Sequence, residues 1–377
     1  MPSTQITIIG GGICGLSTAF ALYNRGYHNI RILEAQDWPN PLGSSHGHSR
    51  ITRSAYSSLF YVNLMRRAHK EIWPRLEKLL KKTLVYPCNG IFFGPHDGHI
   101  QSYSNSVREA GVRVEPISKN QAQVQFPQFS FWPSDTILLD HTAGVIAAEQ
   151  TISSLISFLH EKGIALLPNT TVRHIDQNSI HTSKSIFHSD WIISCAGPWT
   201  STLFPFLSKE LSPIRQQVFY MGAKQTATIS IPQFPVWVEV GQSIQENWYG
   251  LPQFGRMGFK LARHRLHGIS NDPDALPKIS AAHRREAQEK AEIRFPIYSG
   301  EILFEESCIY TMREKEDYLI DFHPQIPQLI IASGFSGHGF KLAPLCGELM
   351  VDMIEGGKAP YPFTYKKEHQ DETPFQT

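Results

Sequence analysis

The sequence predicts an α/β fold in which a dinucleotide-binding domain of interleaved segments is joined to a second, α+β domain built on an antiparallel sheet. Three observations support this fold class. A glycine-rich turn at residues 10–15 connects an apolar strand to a helix, and a second glycine-rich segment at 334–341 follows another apolar run. Between residues 213 and 314, strand patterns follow one another with few helical signals between them. We therefore expect the two ends of the chain to meet over one site.

Length and charge narrow the possible classes of protein. A chain of 377 residues is too long for one simple core, so two domains are expected. We expect residues 1–85, 142–212 and 315–377 to form the dinucleotide-binding domain, and residues 86–141 and 213–314 to form the second. The 35 Lys and Arg residues nearly balance the 34 Asp and Glu residues, and there is no basic stripe, so nucleic acid is not an expected partner.

Targeting signals and cysteine usage both favour a reducing compartment. No run approaches the roughly 18 consecutive apolar residues of a spanning helix, so no membrane partner is expected. The apolar run Ile6–Ile9 leaves no room for a secretory signal before it, and residues 374–377 match no lipidation or peroxisomal signal. The five cysteines are scattered, without a C-x-x-C pair, so disulfides are not expected. We expect a cytoplasmic protein, with a monomer as the default state.

The first 85 residues have a strand–helix–strand order. Gln5–Ile9 is rich in β-branched residues, Ile13–Arg25 has helical spacing, and His28–Glu34 returns to a strand. Prolines and glycines at 39–47 indicate a loop, and apolar residues along one side predict a long helix at Tyr61–Lys82.

The remaining chain alternates between the two expected sheets. Trp191–Gly197 and Leu329–Gly334 have the character of buried strands of the first sheet. Other strands are predicted at 90–94, 164–167, 171–175, 185–187, 215–221, 236–240, 247–251, 258–262, 301–312 and 318–321. Helices are predicted at 144–162, at 281–294 as a charged surface helix, and at 342–355.

The N-terminal glycines are spaced as in a dinucleotide-binding turn. Gly10 allows the tight turn, Gly12 lets a pyrophosphate approach the backbone, and Gly15 lets helix and strand pack closely. The helix N-terminus, with Ile13 and Cys14, offers unpaired N–H groups to the phosphates, and Glu34 ends the next strand, where it can bind ribose hydroxyls. A turn that binds nothing is the alternative, and the motif alone does not separate FAD from NAD. Its position at the N-terminus and the two later returns to the sheet favour FAD.

Several further motifs follow in order along nearly the whole chain. They are Ser45-His46-Gly47 with Arg50-Ile51-Thr52-Arg53, Tyr249-Gly250 with Gly258-Phe259-Lys260-Leu261 and His264, Cys308-Ile309-Tyr310-Thr311, Asp321-Phe322-His323-Pro324, and Gly334 through Lys341. In these motifs the chain resembles the monomeric sarcosine oxidase and N-methyltryptophan oxidase family, FAD-dependent amine oxidases of the D-amino-acid-oxidase-like group. The resemblance implies an FAD-binding Rossmann-like domain of interleaved segments, with an antiparallel catalytic domain over the flavin ring.

The resemblance also implies which residues bind the flavin and which promote its reaction with O2. Cys308 matches the cysteine that forms a thioether with the flavin 8α carbon, and Lys260 matches the lysine that stabilises the anion formed when O2 accepts an electron. Taken alone, Cys308 would be a packed core residue and Lys260 a solvated strand lysine. The expected cofactor contacts beyond the glycine turn are Ser45, His46, Arg50, Val172, Cys195, Gly197, Trp199, Cys308, Gly337, His338, Gly339, Phe340 and Lys341.

A second group of residues is expected around the substrate. Arg53 and Lys341 resemble the pair that holds a substrate carboxylate. His46 and Arg50 resemble residues beside the flavin ring, and the residues expected around the substrate amine are Tyr249, His264 and Tyr310. Each could instead be a structural residue with satisfied hydrogen bonds. His46 and His48 form a His-x-His pair, but no third ligand is evident, so no metal is expected.

Some segments depart from the family pattern. His48 stands where the family usually has an acid, and Ser49 where it commonly has Thr. Residues 223–233 and the basic run 263–265 match poorly, which leaves open a remodelled pocket entrance.

The sequence predicts a flavin-dependent oxidase of secondary amines, such as N-methyl or cyclic amino acids, that produces an imine and H2O2 from substrate and O2. One alternative is a flavin-dependent dehydrogenase of an amino or 2-hydroxy acid that passes electrons to another acceptor. Another is a binding scaffold without activity. The choice among individual secondary amines stays open.

Overall fold

A computed structural model describes residues 4–266, 272–275 and 278–365. Residues 366–377, the end of the third segment predicted for the dinucleotide-binding domain, lie outside the described residues. The prediction that this end carries no targeting signal therefore also concerns residues outside the described part. The strands are β1 (Ile6–Ile9), β2 (Ile30–Leu33), β3 (Ser49–Thr52), β4 (Val85–Pro87), β5 (Gly90–Pro95), β6 (Val114–Ile117), β7 (Asp135–Asp140), β8 (Gly144–Ala147), β9 (Ala165–Leu167), β10 (Val172–Asp176), β11 (Ser179–Thr182), β12 (Ile186–His188), β13 (Trp191–Ser194), β14 (Ser212–Ala223), β15 (Val236–Glu239), β16 (Trp248–Leu251), β17 (Phe259–Arg263), β18 (Tyr298–Met312), β19 (Leu319–His323) and β20 (Ile326–Ser333). The α-helices are α1 (Ile13–Asn24), α2 (Leu59–Arg67), α3 (Trp73–Leu80), α4 (Ile100–Ala110), α5 (Lys119–Gln125), α6 (Ala148–Glu161), α7 (Thr200–Leu203), α8 (Ala281–Arg294) and α9 (Ala343–Ile354).

The first sheet brings both ends of the chain together. Its six strands lie in the order β19-β20-β13-β1-β2-β9. The central strand β1 pairs in parallel with β13 and β2, so that Ile8 lies opposite Ile193 and Ile32. These residues are fully buried, as expected for a parallel sheet covered on both faces. The predicted returns of the chain to this sheet at 191–197 and 329–334 are confirmed.

Helices from opposite ends of the chain cover one region of this sheet in close contact. A Cβ added at Gly347 of α9 would lie 2.8 Å from the carbonyl oxygen of Ser17 in α1. Only glycine permits this approach of the two backbones. The packing fixes the C-terminal helix, and with it the segment before it, against the N-terminal glycine turn.

The second large sheet has eight strands in the order β18-β14-β17-β16-β15-β5-β7-β6. Its pairings are antiparallel except that of β15 with β5, which is parallel. The alternation of side chains along β14 and β17 gives two different faces. Phe219 and Leu261 point into an apolar core that includes Ala287 and Ala291 of α8. Val218 and Lys260 point to the opposite face, where they line a cavity.

The mixed α/β fold class is confirmed. The two large sheets draw their strands alternately from separate stretches of the chain, as the predicted interleaving requires. The domain boundaries themselves stay a prediction. Two three-stranded sheets complete the described strands, namely the predicted meander β10-β11-β12 and the sheet β3-β8-β4.

The structure corrects several predicted elements. Residues 144–147, predicted as the start of a helix, form β8, because Val145 and Ile146 are β-branched and pair with β3. The strand β3 itself lies between the predicted loop at 39–47 and the predicted helix at 61–82, where no element was predicted. The long helix predicted at 61–82 begins at Leu59 and contains a π turn at Ala68–Ile72. This wider turn precedes Pro74, which has no N–H to donate to the preceding turn.

Other differences concern the second domain. The sequence-based assignment has no elements between residues 95 and 141, whereas the structure has α4, α5, β6 and β7 there. Helix α8 is charged but not wholly a surface helix, because Arg294 is fully buried. Its guanidinium is satisfied by Glu239 and Asp135, at 2.8 and 3.0 Å. Among the described residues, no helix combines the length and apolar character needed to cross a bilayer.

Candidate active site

One cavity of about 250 Å³ lies between the second sheet and the segment that precedes α9. The strands β3, β16, β17 and β18 and the 3-10 turn Phe340–Leu342 all contribute to its walls. The predicted site residues that line it are His46, Arg50, Arg53, Tyr249, Lys260, His264, Cys308, Tyr310, Gly337, His338, Phe340 and Lys341. The structure therefore brings together residues separated by up to most of the chain length.

The glycine turn has the geometry that phosphate binding requires. Gly10 has φ +102°, and a Cβ there would lie 2.3 Å from the carbonyl oxygen of Cys195. A Cβ at Gly15 would lie 2.0 Å from the carbonyl oxygen of Gly10. Helix α1 begins at Ile13, and the residue before it, Gly12, provides no side-chain cap. Gly12 thus offers no side-chain oxygen to the first N–H groups of the helix, the groups that bind an anion at a helix N-terminus.

Hydrogen bonds within the protein fix the carboxylate of Glu34 and the hydroxyl of Ser45 beside this turn. The buried carboxylate of Glu34 accepts hydrogen bonds from the backbone N–H of Gly11, at 2.7 Å, and from that of Gln36, at 3.0 Å. Ser45 Oγ accepts a hydrogen bond from the N–H of Ile13, at 3.0 Å. Trp38, which the sequence-based assignment missed, donates from Nε1 to the carbonyl of Gly11 at 2.9 Å. The turn is therefore held from three sides.

The remaining predicted cofactor residues are not among those that line the cavity. Cys195 follows β13, and its Sγ is 3.4 Å from that of Cys14. Gly197 and Trp199 form a 3-10 turn, in which the Trp199 indole donates to Asp274 at 2.8 Å. Val172 begins β10, two residues after a backbone hydrogen bond to Glu34. Gly339 adjoins the 3-10 turn 340–342.

Arg53 and Lys341 form a pair of cations around Tyr56. Lys341 Nζ is 3.3 Å from the Tyr56 hydroxyl, and the Arg53 guanidinium lies 4.0 Å from the Tyr56 ring centroid. Neither cation forms an ion pair with a carboxylate in the described parts of the chain, and Arg53 Nη1 is buried without a hydrogen-bond partner. Burial, followed by the charges of Arg53 and Arg50, holds the pKa of Lys341 well below its usual range. An anionic ligand group would satisfy both side chains.

A buried carboxylate fixes the loop that follows Arg53. One oxygen of Asp140 accepts hydrogen bonds from the backbone N–H groups of Ser54 and Ala55, at 2.7 and 2.9 Å. The other accepts from Thr142. Asp140 is fully buried, so this loop has one well-defined position.

Cys308 and Lys260 lie on the face of the second sheet that borders the cavity, and His46 and Arg50 line the same cavity from outside that sheet. Burial raises the pKa of the Cys308 thiol, while the charges of Arg50 and Lys260 act to lower it. His46 is within hydrogen-bond distance of the carbonyls of Gly43 and Ser307, at 2.6 and 3.1 Å. Burial and then the charge of Arg50 lower the pKa of His46. The cluster combines a thiol and several nitrogen groups that stabilise negative charge.

Tyr249, Tyr310 and His264 form a neighbouring polar wall. The two tyrosine hydroxyls are 2.9 Å apart, and the rings of His264 and Tyr310 have centroids 6.0 Å apart. Burial raises the pKa of both tyrosines above their usual range. His264 Nε2 lies 3.2 Å from the carboxylate of Glu316, which also binds Arg265 at 2.6 Å.

The sequence-based assignment missed Tyr56, Glu306 and Glu316, all of which line the cavity. A signal for Glu306 was available, because residues 306, 308 and 310 alternate along one predicted strand and therefore share a face. No comparable signal existed for Tyr56 or Glu316, which reach the cavity through loop geometry.

His48 and the basic run 263–265, which depart from the family pattern, pair with carboxylates. His48 Nδ1 is 2.5 Å from Glu149 Oε2, so an acid is supplied by another part of the chain. Ser49 is buried and lines the cavity. Arg263 binds Glu286, and the next two residues of the basic run bind Glu316. Within the described residues, no group of three or more potential ligands is arranged to hold a metal ion.

The glycine turn and cavity fit FAD by the structure's own features. Glycine is required at positions 10 and 15, where a Cβ would collide with backbone atoms, and helix α1 begins after Gly12 without a side-chain cap. The cavity is lined by the buried side chains of Lys260 and Lys341, which can face an electron-accepting ring. The pyrophosphate would lie at residues 10–15, and the ring would lie near Cys308 and Lys260.

Comparisons with known proteins show the family of the chain. A family model described as FAD dependent oxidoreductase matches residues 5–353. Monomeric sarcosine oxidase from Bacillus sp. (strain B-0618) is 28% identical over 373 residues, covering 95% of this chain and 93% of that protein. N-methyl-L-tryptophan oxidase from Yersinia pestis (strain Pestoides F) is 28% identical over 372 residues, covering 94% and 96%.

Solved structures share the fold. NikD, described as an unusual amino acid oxidase essential for nikkomycin biosynthesis, superimposes with a TM-score of 0.81 at 19% identity, covering 95% of this chain and 96% of that one. The family match over most of the chain confirms the predicted resemblance and identifies an enzyme. The chain belongs to the FAD dependent oxidoreductase family.

Proposed function

We propose that this protein is a flavin-dependent oxidase of secondary amines that acts on N-methyl or cyclic amino acids and produces an imine and H2O2. Its similarity to sarcosine and N-methyltryptophan oxidases supports this substrate class. The observation that carries the proposal is the pair Arg53 and Lys341, which lacks a carboxylate partner among the described residues and shares a cavity with Lys260 and Cys308.

The substrate carboxylate binds between Arg53 and Lys341. Arg53 supplies a planar fork of donors, and Lys341 supplies a compact charge that Tyr56 holds in place. Asp140 keeps the loop after Arg53 fixed, so the clamp is formed before the substrate arrives. Binding in one orientation places the substrate α-carbon beside the flavin site.

The amine is bound by the wall formed by Tyr249, Tyr310 and His264. Because Arg53, Lys341, Lys260 and Arg50 make the cavity electropositive, an ammonium is disfavoured and the neutral amine binds. Tyr249 and Tyr310 stay protonated at neutral pH, since burial raises their pKa values, and their hydroxyls can orient the nitrogen lone pair. His264, held by Glu316, can accept the proton that the amine releases on binding.

Bound FAD supplies the two-electron acceptor for oxidation of the carbon–nitrogen bond. Cys308 would hold it through an 8α thioether, and His46 and Arg50 would lie against its ring. Lys260, 5% exposed, provides a preorganised cation where O2 becomes an anion on accepting an electron. In keeping with these assignments, we propose a monomer in the cytoplasm that uses O2 and has no membrane partner.

A dehydrogenase that passes electrons to another acceptor is the second candidate. The specific observation that favours it is Glu306, whose carboxylate lies 3.5 Å from Lys260 and offsets its charge. Rapid oxygen consumption would exclude it. A scaffold without activity is disfavoured by the family match and by the retained thiol and cations around one cavity.

The function is tested with FAD-loaded protein and a panel of amines, in an assay of H2O2 release and oxygen consumption. The panel contains sarcosine, N-methyltryptophan, pipecolate, proline and sugar-modified amino acids, with glycine, tryptophan and a 2-hydroxy acid as matched controls. We expect stoichiometric H2O2 from one or more secondary amines. Activity confined to primary amines or alcohols would refute the substrate class, and flavin reduction without oxygen consumption would establish the dehydrogenase.

A further inference from the structure

Glu306 and Lys260 meet above strand β14 on the cavity face of the second sheet. Glu306 lies on β18 and Lys260 on β17, the two strands that flank β14. In register, Glu306 is opposite Val218 and Lys260 is opposite Tyr220. The two side chains reach across the intervening strand, and Lys260 Nζ lies 3.5 Å from Glu306 Oε1. The sheet register thus fixes this ion pair inside the cavity.

A third side chain orients the carboxylate. The Tyr220 hydroxyl donates a hydrogen bond to Glu306 Oε1 at 2.9 Å, and Lys260 Nζ lies 5.7 Å from the centroid of the Tyr220 ring. Tyr220 is itself only 1% exposed. The Tyr220 hydroxyl, the Glu306 carboxylate and the Lys260 ammonium are held close together in a buried position. They form one system of interacting charges, because a change in the charge of one alters the energy of the others.

The charged and titratable groups around this system come from four parts of the chain. Those that act on Lys260 or Glu306 are Tyr220 on β14, Cys308 on β18, Arg50 on β3 and His46 in the preceding loop. Burial is the main cause that lowers the pKa of Lys260, to about 8, and the charge of Arg50 adds to it. The Glu306 carboxylate acts in the opposite direction and favours the ammonium.

We propose that Glu306 is a positioning residue for flavin reoxidation, acting as the counter-ion that keeps Lys260 protonated while reducing the positive potential that Lys260 presents to oxygen. The proposal rests on the proposed function of Lys260 as the oxygen-activating cation. In this chain the rate of the reaction with O2 then depends on the Glu306 carboxylate, which is not part of the family motifs named above.

The reoxidation step shows why this potential matters. O2 takes up two electrons and two protons and becomes H2O2; both electrons and one proton come from the anionic reduced flavin, and the other proton comes from solvent. The first electron converts neutral O2 into superoxide, an anion. A positive potential at that point lowers the barrier, and a carboxylate near the ammonium raises it.

The variant Glu306→Gln therefore has two separable consequences. At low pH Lys260 is protonated in both proteins, and the variant reacts faster with O2 because the offsetting negative charge is gone. As the pH rises, Lys260 loses its proton earlier in the variant, because the Glu306 carboxylate no longer stabilises the ammonium. In a plot of the reoxidation rate against pH, the variant therefore has a higher plateau in acid. Its rate also begins to fall at a lower pH than that of the original protein.

The experiment uses FAD-loaded enzyme reduced anaerobically with dithionite and mixed with O2 in a stopped-flow instrument, from about pH 6 to about pH 9.5, a range in which a depressed lysine pKa titrates. We expect the acid plateau of Glu306→Gln to be at least about threefold higher, and its midpoint to lie at least about one pH unit lower. Chemical reduction makes the result independent of the substrate, so a wrong substrate class and a wrong role for Glu306 give different failures.

A second readout needs neither oxygen nor catalysis. The visible absorbance of the oxidised, FAD-loaded protein is titrated with pH, because a charge close to the ring changes its electronic spectrum. The midpoint of this titration is expected to fall in Glu306→Gln and to return most of the way in Glu306→Asp, which restores the charge. In Lys260→Met the transition should be absent, and adding Glu306→Gln should not restore it.

Glu305→Gln is the matched control. Glu305 is the neighbouring residue on β18, but it points to the other face of the sheet, where it binds Arg284. Removing this carboxylate should leave both the plateau and the midpoint unchanged. An unshifted midpoint in both Glu306→Gln and Glu306→Ala, or equal shifts in the Glu305 and Glu306 variants, would overturn the proposal.

Discussion

The hydroxyls of Tyr249 and Tyr310 lie 2.9 Å apart, although their strands, β16 and β18, are separated in the sheet by β17 and β14. Neighbouring strands lie about 4.8 Å apart, so the two long side chains must lean toward each other over the two intervening strands to meet. The pair therefore links β16 and β18 over the cavity face of the sheet and forms part of one wall of the site.

Removing either hydroxyl is expected to have the same effect as removing both. Tyr249→Phe and Tyr310→Phe should each lower kcat/KM by about tenfold, since each leaves the other hydroxyl without its partner and loosens the hold on the amine. The double variant should lose little more, because both hydroxyls act as one unit. Steady-state kinetics on the preferred amine give the comparison. Tyr86→Phe, outside the cavity-lining residues, is the control, and simple additivity of the two losses would argue against a shared role.

The Arg53 and Lys341 clamp is expected to recognise carboxylate specifically. Arg53→Met or Lys341→Met should raise KM for an amino-acid substrate by about a hundredfold, the order of a lost charge-assisted contact. The corresponding amide or methyl ester should bind the original enzyme weakly and lose little more in the variants. Initial-rate measurements on matched acid and amide pairs test this. Equal losses for both compounds would mean that the cations have only a structural role; Arg66→Met, an exposed cation, is the control.

Cys308 is expected to hold the flavin covalently. After acid precipitation of FAD-loaded protein, the yellow colour should stay with the original chain and should be released from Cys308→Ser, because only the thiolate can form the thioether. Absorbance of the supernatant and the intact mass of the protein measure the attachment. Cys88→Ser, which alters a buried thiol in a separate apolar cluster, should retain the flavin. Release from the original chain would disprove the link.

Glu316 is expected to make stability depend on pH in acid. Burial acts to raise its pKa, but the hydrogen bond and charge of His264 and the charge of Arg265 lower it from 4.5 to about 2. A carboxyl whose pKa is lower in the folded protein stabilises it above the unfolded pKa, and this contribution is lost as the pH falls through the folded value. Relative to Glu316→Gln, the original chain should gain on the order of 3 kcal/mol at neutral pH, and this advantage should shrink below about pH 4.5.

Denaturant unfolding of both proteins between neutral pH and the acid limit of folding measures this difference. Glu115→Gln provides a matched control, because Glu115 also binds a histidine, His141, but is 61% exposed. Its substitution should change stability by less than about 1 kcal/mol at any pH. A difference at Glu316 that does not vary with pH would contradict the assignment.

Local sequence determined the elements in which side-chain spacing and backbone constraint agree. The glycines at 10, 12 and 15 specify the turn because side chains at Gly10 and Gly15 would collide with backbone atoms at 2.3 and 2.0 Å. Alternation along 301–312 determined that Cys308 and Tyr310 share a face, and it determined the same for Glu306. By contrast, the start of α6 was misplaced at 144, because β-branched residues there are drawn into pairing with β3, a partner distant in sequence.

Only the tertiary structure decided which charges meet. Tyr56 and Lys341 are 285 positions apart, yet their polar atoms lie 3.3 Å from each other. The ion pair of Glu306 with Lys260, the anchoring of the Arg53 loop by Asp140 and the contact of Glu316 with His264 likewise join separate elements. A spacing rule describes neighbours along one strand or helix, whereas the energy of a charge depends on burial and on distances through space. The sequence thus determined the cofactor turn and the faces of the strands, and the packing of the two sheets determined the electrostatics of the site.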